Sequence, residues 1–370
     1  MFELDEPYVG KEEIKYLTEA INSGWISSLG PFVEKFEKMF AQYIGVKYAV
    51  SCASGTSALS LLLPTLKVGK GDEVILQSLT FNADAFAMSQ SGAKIVFADC
   101  SKNRFTISPD DVKKKITKRT KVISPTHLYG RPAEMDELRD ICNKNNIYLI
   151  EDCCQATGAK YKNHMVGSIG HFNFHSFHNK LIASGEGGMV TTNNKDLADR
   201  FEKLKNPPSV NRPEERSGFD EISMNHRLSN LHAAVGVAQL ERLEKNIQKK
   251  IKMANLYDNF FGNADGIKII KEDSWSRTVY WRYTILLDER IDINKFKEES
   301  IELGISTRET YLPLHLHPYF KEYNNLSLPN CEKIGRSAID IPSSFNLSEK
   351  DITYIAENLK KIAKKLLISK

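Results

Sequence analysis

Between about residues 45 and 192 the chain alternates short β-rich runs with helical stretches, and this alternation restricts its fold more than any other feature. Tyr48 to Cys52, Val74 to Leu76, Lys94 to Ala98, Lys121 to Ser124 and Ile147 to Ile150 read as buried strands. The stretches beginning at Ser57, Asp84, Pro109 and Met135 read as the helices between them, and His171 to Phe177 and Gly188 to Thr192 supply further strands. Such a pattern predicts an α/β fold, a mainly parallel sheet with helices on both faces. Ligands of such folds collect where strands end.

A chain of 370 residues exceeds one ordinary core, so two units are expected, a large domain over 1–240 and a small one over 241–370. Leu240, Leu243, Ile247, Ile251 and Ala254 recur at helical spacing and predict a helix joining the two. Beyond it, Val279 to Leu287 reads as a strand and Lys350 to Leu367 as a terminal helix, while Pro207 to Arg216 reads as an irregular loop. The longest apolar runs fall well short of the ~18 residues a spanning helix needs, so no membrane residence is expected. The start of the chain shows no basic region followed by an apolar one, and six cysteines lack zinc-type spacing. Reduced thiols in a cytoplasmic protein follow as the expectation. The net charge of +4 gives little reason to invoke nucleic acid, and the basic run Lys113-Lys114-Lys115 reads as a solvated helix end.

Lys180 carries the chemistry. Glu186, Gly187 and Gly188 begin six positions after it, and Asp152 stands twenty-eight before it, at the end of an apolar run. A lysine amine that can form a Schiff base with an aldehyde, and a buried carboxylate that can keep a pyridine nitrogen protonated, together point to pyridoxal phosphate (PLP). The turn Ser54-Gly55-Thr56-Ser57 places backbone N–H groups and a helix dipole where a phosphate could sit, although alone it is an ordinary helix cap. Phe81 follows another strand and could stack on a pyridine ring. In Glu151-Asp152-Cys153-Cys154-Gln155-Ala156, burial of Asp152 costs several kcal/mol without a cationic partner, and Gln155 could bond the cofactor's phenolic oxygen. Capping of a turn is the local alternative for Asp152. His178 and His315 have no third ligand at useful spacing, so no metal site is expected.

In order and spacing these motifs closely resemble the DegT/StrS family of PLP-dependent sugar aminotransferases, a branch of the aspartate-aminotransferase fold (PLP fold type I). The resemblance runs from Ser23-Gly24-Trp25-Ile26-Ser27-Ser28 to Ile341-Pro342-Ser343. It includes His127-Leu128-Tyr129-Gly130-Arg131-Pro132, Gly185-Glu186-Gly187-Gly188-Met189-Val190, Asn225-His226-Arg227-Leu228-Ser229-Asn230, and Thr307-Arg308 through Pro313-Leu314-His315. Within the family, Trp25 to Ser28, Asn179-Lys180 and Arg227 to Asn230 look most like the perosamine-synthase branch. That branch moves an amino group from L-glutamate to carbon 4 of a GDP-linked 4-keto-6-deoxy sugar for surface polysaccharide such as lipopolysaccharide O-antigen. The resemblance implies Lys180 and Asp152 as catalytic residues. It implies cofactor contacts from Ser54, Gly55, Thr56, Phe81, Gln155 and one of His175 or Ser176. Asn225 would reach the cofactor of a neighbouring subunit in a homodimer with shared active sites. Trp25, Arg308, Tyr311 and His315 would lie near the sugar nucleotide.

Three departures from the family pattern stand out. Relatives carry a phosphate-binding Ser five residues before the lysine; here His175 stands there and Ser176 one place later, and Ser176 is favoured. Perosamine synthases often have Glu where this chain has Gln155. Arg282 and Glu309 replace residues that relatives usually keep apolar or proline. The alternatives are a UDP- or dTDP-linked or 3-keto sugar as acceptor, then a sugar dehydratase, which typically has His in place of the lysine, then a regulator without turnover.

Overall fold

The computed structural model describes residues 1–206, 221–323 and 325–368, so the loop expected over Pro207 to Arg216 lies outside the described residues. Two helices lead, α1 (Lys11–Asn22) and α2 (Pro31–Ile44). Phe32, Phe36, Phe40 and Ile44 line one stripe of α2, and Gly45, at a φ of 82°, ends it in the left-handed conformation that glycine adopts without strain. The alternation then runs β1 (Tyr48–Cys52), α3 (Gly55–Thr65), β2 (Glu73–Gln77), α4 (Asn82–Ser89), β3 (Lys94–Ala98), α5 (Pro109–Lys115), β4 (Thr120–Ser124), α6 (Met135–Asn145) and β5 (Tyr148–Leu149). A small hairpin, β6 (Lys160–Tyr161) and β7 (His164–Met165), precedes β8 (Asn173–Ser176), β9 (Gly188–Thr192) and α7 (Lys195–Lys205).

Strands β3-β2-β4-β5 pair in parallel, while β9 runs antiparallel between β8 and β1. Asp152 joins the two sets through parallel bridges to Thr126 on one side and Phe174 on the other. The carboxylate named from sequence therefore sits at the seam of the sheet, just past the end of β5. As expected, the sheet is mainly parallel, and helices flank it. Lys113 and Lys115 are ion-paired to acids of α5 and α6.

After α8 (Asn230–Glu241), Arg242 interrupts the helix before α9 (Leu243–Phe261), so the single helix expected there is two. Leu243 and Ile247 pack into the core shared with α2 and α8, whereas Met253, Tyr257 and Phe261 pack into a second core. That core belongs to an antiparallel sheet. In chain order come β10 (Ile267–Ile269), β11 (Ser276–Arg277, paired to the hairpin), β12 (Tyr283–Leu287), α10 (Ile293–Glu302), β13 (Arg308–Glu309), α11 (Pro329–Ser337), β14 (Ala338–Ile341) and α12 (Glu349–Ile368). The sheet order is β10-β12-β14-β13. Phe2 bridges to Ile305 and packs against this core, so the first residues associate with the C-terminal elements. No helix among the described residues is long and apolar enough to cross a membrane.

Candidate active site

A cavity of about 530 Å³ opens where β1, β2, β5 and β8 end, lined among others by Gly55, Phe81, Asp152, Ser176, Lys180 and Arg308. Chain segments separated by up to some 250 residues of sequence meet there because the parallel strands all point their carboxyl ends one way.

Ser54 caps α3, its hydroxyl accepting from the Ser57 N–H at 3.0 Å. The hydroxyl is thus engaged in the turn, and the free N–H groups behind it belong to Gly55 and Thr56. A Cβ on Gly55 would lie 2.8 Å from the Ser176 Cβ and 3.3 Å from the Cys154 Sγ, so only glycine leaves this corner open. Ser176 closes the corner from β8. His175 does not. Adjacent residues of a strand face opposite sides, and His175 is fully buried on the other face, its ring 4.8 Å from that of Phe40 and its Nδ1 bonded to the Thr157 hydroxyl at 3.0 Å. Burial holds it neutral, with its pKa lowered to about 3.

Lys180 lies on the turn between β8 and β9, where Asn179 takes a φ of 42°. Its Nζ stands 3.5 Å from the centroid of the Trp281 ring. Burial, with the Arg282 charge adding to it, lowers the lysine to about 8, so a substantial fraction is neutral amine near physiological pH. The Trp281 indole N–H donates to Asp5 at 2.9 Å, which fixes the ring under the lysine.

Asp152 accepts from the Cys154 N–H at 2.9 Å, so it does cap a turn, and its side chain also lines the cavity. Asp84 at the start of α4 is its close neighbour and was not singled out from sequence. Its carboxylate accepts from the hydroxyls of Thr80 at 3.0 Å and Thr126 at 3.2 Å. Burial, then the charge of Asp152 and a hydrogen bond to it, push the Asp84 carboxyl well above the ordinary carboxylate range. Asp84 therefore holds its proton more tightly than an ordinary carboxyl, beside the Asp152 side chain. A carboxylate on the first turn of a helix reads as an ordinary dipole partner, and the packing of α4 against the seam of the sheet is a tertiary fact.

Gln155 accepts from the Tyr129 N–H at 2.9 Å and donates to the Tyr311 hydroxyl at 3.2 Å. Tyr311 meets Phe81 edge to face, with centroids 6.0 Å apart, so Phe81, Gln155, Tyr311 and Arg308 share one wall. His315 is absent from that wall. It is fully buried between Ser78, 2.7 Å from its Nδ1, and Glu332, 3.5 Å from its Nε2, which excludes direct contact with a ligand in this cavity. Trp25 and Asn225 are exposed outside the cavity, the Trp25 carbonyl accepting from Asn230 and the Asn225 side chain from Arg227. His178 pairs with Glu186 at the cavity rim.

Among the described residues one group has metal-ligand chemistry, His127, Glu151 and Cys153, and its histidine and glutamate are already engaged with the protein. The His127 Nδ1 accepts from Ala133, its Nε2 faces Glu151 at 3.0 Å, and the other Glu151 oxygen accepts from Ile169 and Gly170.

The model of the DegT/DnrJ/EryC1/StrS aminotransferase family matches residues 7–360. The chain belongs to this family. As a member it is a PLP-dependent sugar aminotransferase with the fold that the sequence led us to expect. It is 34% identical over 361 residues to a GDP-perosamine synthase of Caulobacter vibrioides, covering 96% of each chain. A GDP-perosamine synthase of Escherichia coli O157:H7 is 35% identical over 356 residues, again with 96% of each covered. Among solved structures, Helicobacter pylori PseC, an aminotransferase of pseudoaminic acid biosynthesis, superposes with a TM-score of 0.92 at 26% identity, covering 98% of this chain and 99% of that one. The residues described above fit the cofactor. Gly55 keeps a phosphate-sized corner clear, Lys180 offers an amine of lowered basicity, and Asp152 offers a buried carboxyl group.

Proposed function

We propose that the protein transfers the amino group of L-glutamate to carbon 4 of a GDP-linked 4-keto-6-deoxy sugar, as the perosamine synthases it resembles do. The observation that carries this reading is their near full-length similarity, joined to a cavity in which Lys180, Asp152 and the Gly55–Ser176 corner converge.

When bound, PLP supplies the electron sink that makes a proton on the amine-bearing carbon acidic. Asp152 would hold the proton on the pyridine nitrogen, and Asp84 would keep Asp152 oriented. Backbone N–H groups of Gly55 and Thr56, with the Ser176 hydroxyl and the cap at Ser54, would hold the phosphate. Phe81 would pack against the ring, and Gln155 would offer its remaining N–H to the phenolic oxygen. Lys180 Nζ would hold the cofactor and would serve as the base that takes a proton from the substrate carbon. Its lowered pKa suits both tasks.

A homodimer completes the site in this proposal. Trp25, Ile26 and Leu29 are each at least half exposed, an apolar display that a second copy would cover, and Asn225 is exposed as well. Asn225 would then meet the partner's cofactor phosphate, and Trp25, Arg308 and Tyr311 the sugar nucleotide.

Incubation with glutamate and a panel of GDP-, UDP- and dTDP-linked keto sugars, read by mass spectrometry, tests the assignment. A 4-amino product from the GDP-linked sugar alone is expected. Turnover confined to a UDP- or dTDP-linked sugar sinks it.

A further inference from the structure

The first residues of the chain lie along the C-terminal elements and reach the Trp281 side chain. The Phe2 N–H donates to the Gly304 carbonyl at 2.7 Å, the Ser306 N–H donates to the Phe2 carbonyl at 3.0 Å, and the Ser343 N–H donates to the Leu4 carbonyl at 2.9 Å. This strap delivers Asp5. The Asp5 side chain is only 3% exposed, and its Oδ2 accepts from the Trp281 indole N–H at 2.9 Å. The same N–H also reaches the carbonyl of Asn179, the residue immediately before Lys180, at 3.2 Å. One donor thus ties the ring both to the strap and to the turn that carries the lysine.

Lys250 closes the arrangement from α9. Its Nζ, buried with the rest of the side chain, donates to the Trp281 carbonyl at 3.1 Å and to the Ser343 carbonyl, and it faces Asp5 Oδ1 at 3.9 Å. Lys250 therefore holds the backbone of Trp281 and, at the same time, the carboxylate that holds its ring. Arg282, the next residue, pairs with Asp340 at 3.3 Å. A buried ion pair adds little stability over well-packed apolar groups, because desolvation offsets the attraction. Orientation is what this pair supplies. Lys180 Nζ stands 3.5 Å from the centroid of the Trp281 ring, a separation that the ring atoms exclude in their own plane, so the amine lies over the face. A tilted indole would displace it.

We propose that Asp5 is a positioning residue for the transfer reaction: held by the N-terminal strap and by Lys250, it fixes the Trp281 indole so that the ring presents its face to Lys180 and keeps the amine in the cavity. The proposal rests on the reading of Lys180 as the residue that carries PLP, and it adds to that reading a part for the first residues of the chain.

The test is covalent capture of PLP by the full-length chain stripped of cofactor, in which the Lys180 amine condenses with the aldehyde and water leaves. Capture is followed by absorbance and located by borohydride reduction and peptide mass mapping, with Lys180→Met as the blank. Rates are compared well above the lysine's value of about 8, where the amine is unprotonated and effects of charge on its titration drop out. Asp5→Ala removes the acceptor of the indole N–H and should slow capture about tenfold, the value of one hydrogen bond. Trp281→Phe keeps a ring without the N–H and should slow capture as well; adding Asp5→Ala to it should change the rate no further, because the aspartate acts through the indole. Asp5→Asn keeps an acceptor while leaving the Lys250 charge without its partner, so its melting temperature should fall and its capture rate should stay near the native one. Asp5→Leu with Lys250→Met leaves no unpaired buried ion, so its melting temperature should recover and its capture should remain slow; this variant carries the expectation if Asp5→Ala does not fold.

Capture rates that follow the melting temperature through the series overturn the proposal, since Asp5 would then serve stability alone. So do a native rate in Asp5→Ala or in Asp5→Leu with Lys250→Met, and losses that add in full when Asp5→Ala is combined with Trp281→Phe. Failure of the sugar assignment is separate, because no sugar enters the assay; failure of the Lys180 assignment shows instead as capture that the native chain and Lys180→Met share.

Discussion

Replacement of Lys180 by methionine should make the cofactor-free protein more stable at neutral pH, while abolishing its chemistry. Lys180 is lowered from 10.5 to about 8, chiefly by burial. That gap corresponds to about 3 kcal/mol held against the charged form in the folded state. The side chain is half-buried and opens to the cavity, so solvent screening discounts the figure to about 1–3 kcal/mol. The sign follows from proton counts. Between pH 8 and 10.5 the unfolded chain keeps the lysine proton and the folded chain has released it, so native stability rises with pH across that window. Below pH 8 the cost is fully present. Methionine fills a similar volume, carries no charge and removes both the cost and its pH dependence. Lys250, also lowered to about 8, titrates alike in both proteins and cancels in the difference. Urea unfolding of the cofactor-free proteins at a series of pH values from 6 upward measures the effect. The Lys180→Met midpoint should exceed the native one at pH 7, and the two should converge as pH approaches 10.5. A variant less stable than the native protein by the same amount at every pH would refute the reasoning, because Lys180 would then contribute packing and not strain.

The acid pair gives the opposite pH sign. Asp84 is raised above 3.8 in the folded state, so its contribution to stability is present below that value and is lost as pH climbs toward its folded pKa; Asp84→Asn should flatten the loss in thermal melts of the cofactor-free protein. Gly55→Ala sets a methyl 2.8 Å from the Ser176 Cβ and should cost about 1–3 kcal/mol in overpacking, together with most of the cofactor retained in equilibrium dialysis. Ser176→Ala should weaken cofactor binding by about tenfold, the value of one hydrogen bond, while His175→Ala should lower the melting temperature and leave cofactor affinity in place. Equal losses of affinity in the two variants would put the strand phase in doubt.

Most of the lining of the candidate site was legible along the chain. Lys180, Asp152, Gly55, Thr56, Phe81 and Gln155 each follow a strand by a few residues, and strand ends are visible because buried runs stop abruptly at glycine, serine and aspartate. The alternation of β and α segments dictated a mainly parallel sheet, and a parallel sheet gathers its strand ends into one cavity. The sequence by itself thus determined the cofactor chemistry and the end of the sheet where it happens.

Tertiary structure decided what neighbours what. Whether His175 or Ser176 faces the cavity depends on the phase of a four-residue strand, and a slip of one residue exchanges the two faces; the pairing with β9, the packing of Phe40 on His175 and its bond to Thr157 hold that phase. His315 sits in a motif that suggests contact with substrate, yet the helix carrying Glu332 buries it. Asp84 and Asp152 are 68 positions apart, and Arg282 just before β12, Arg308 on β13 and Asp340 on β14 come from three separate stretches of chain. Coulomb interactions act over a few ångströms of space whatever the separation along the chain, so the charge state of these groups is written only in the folded contacts.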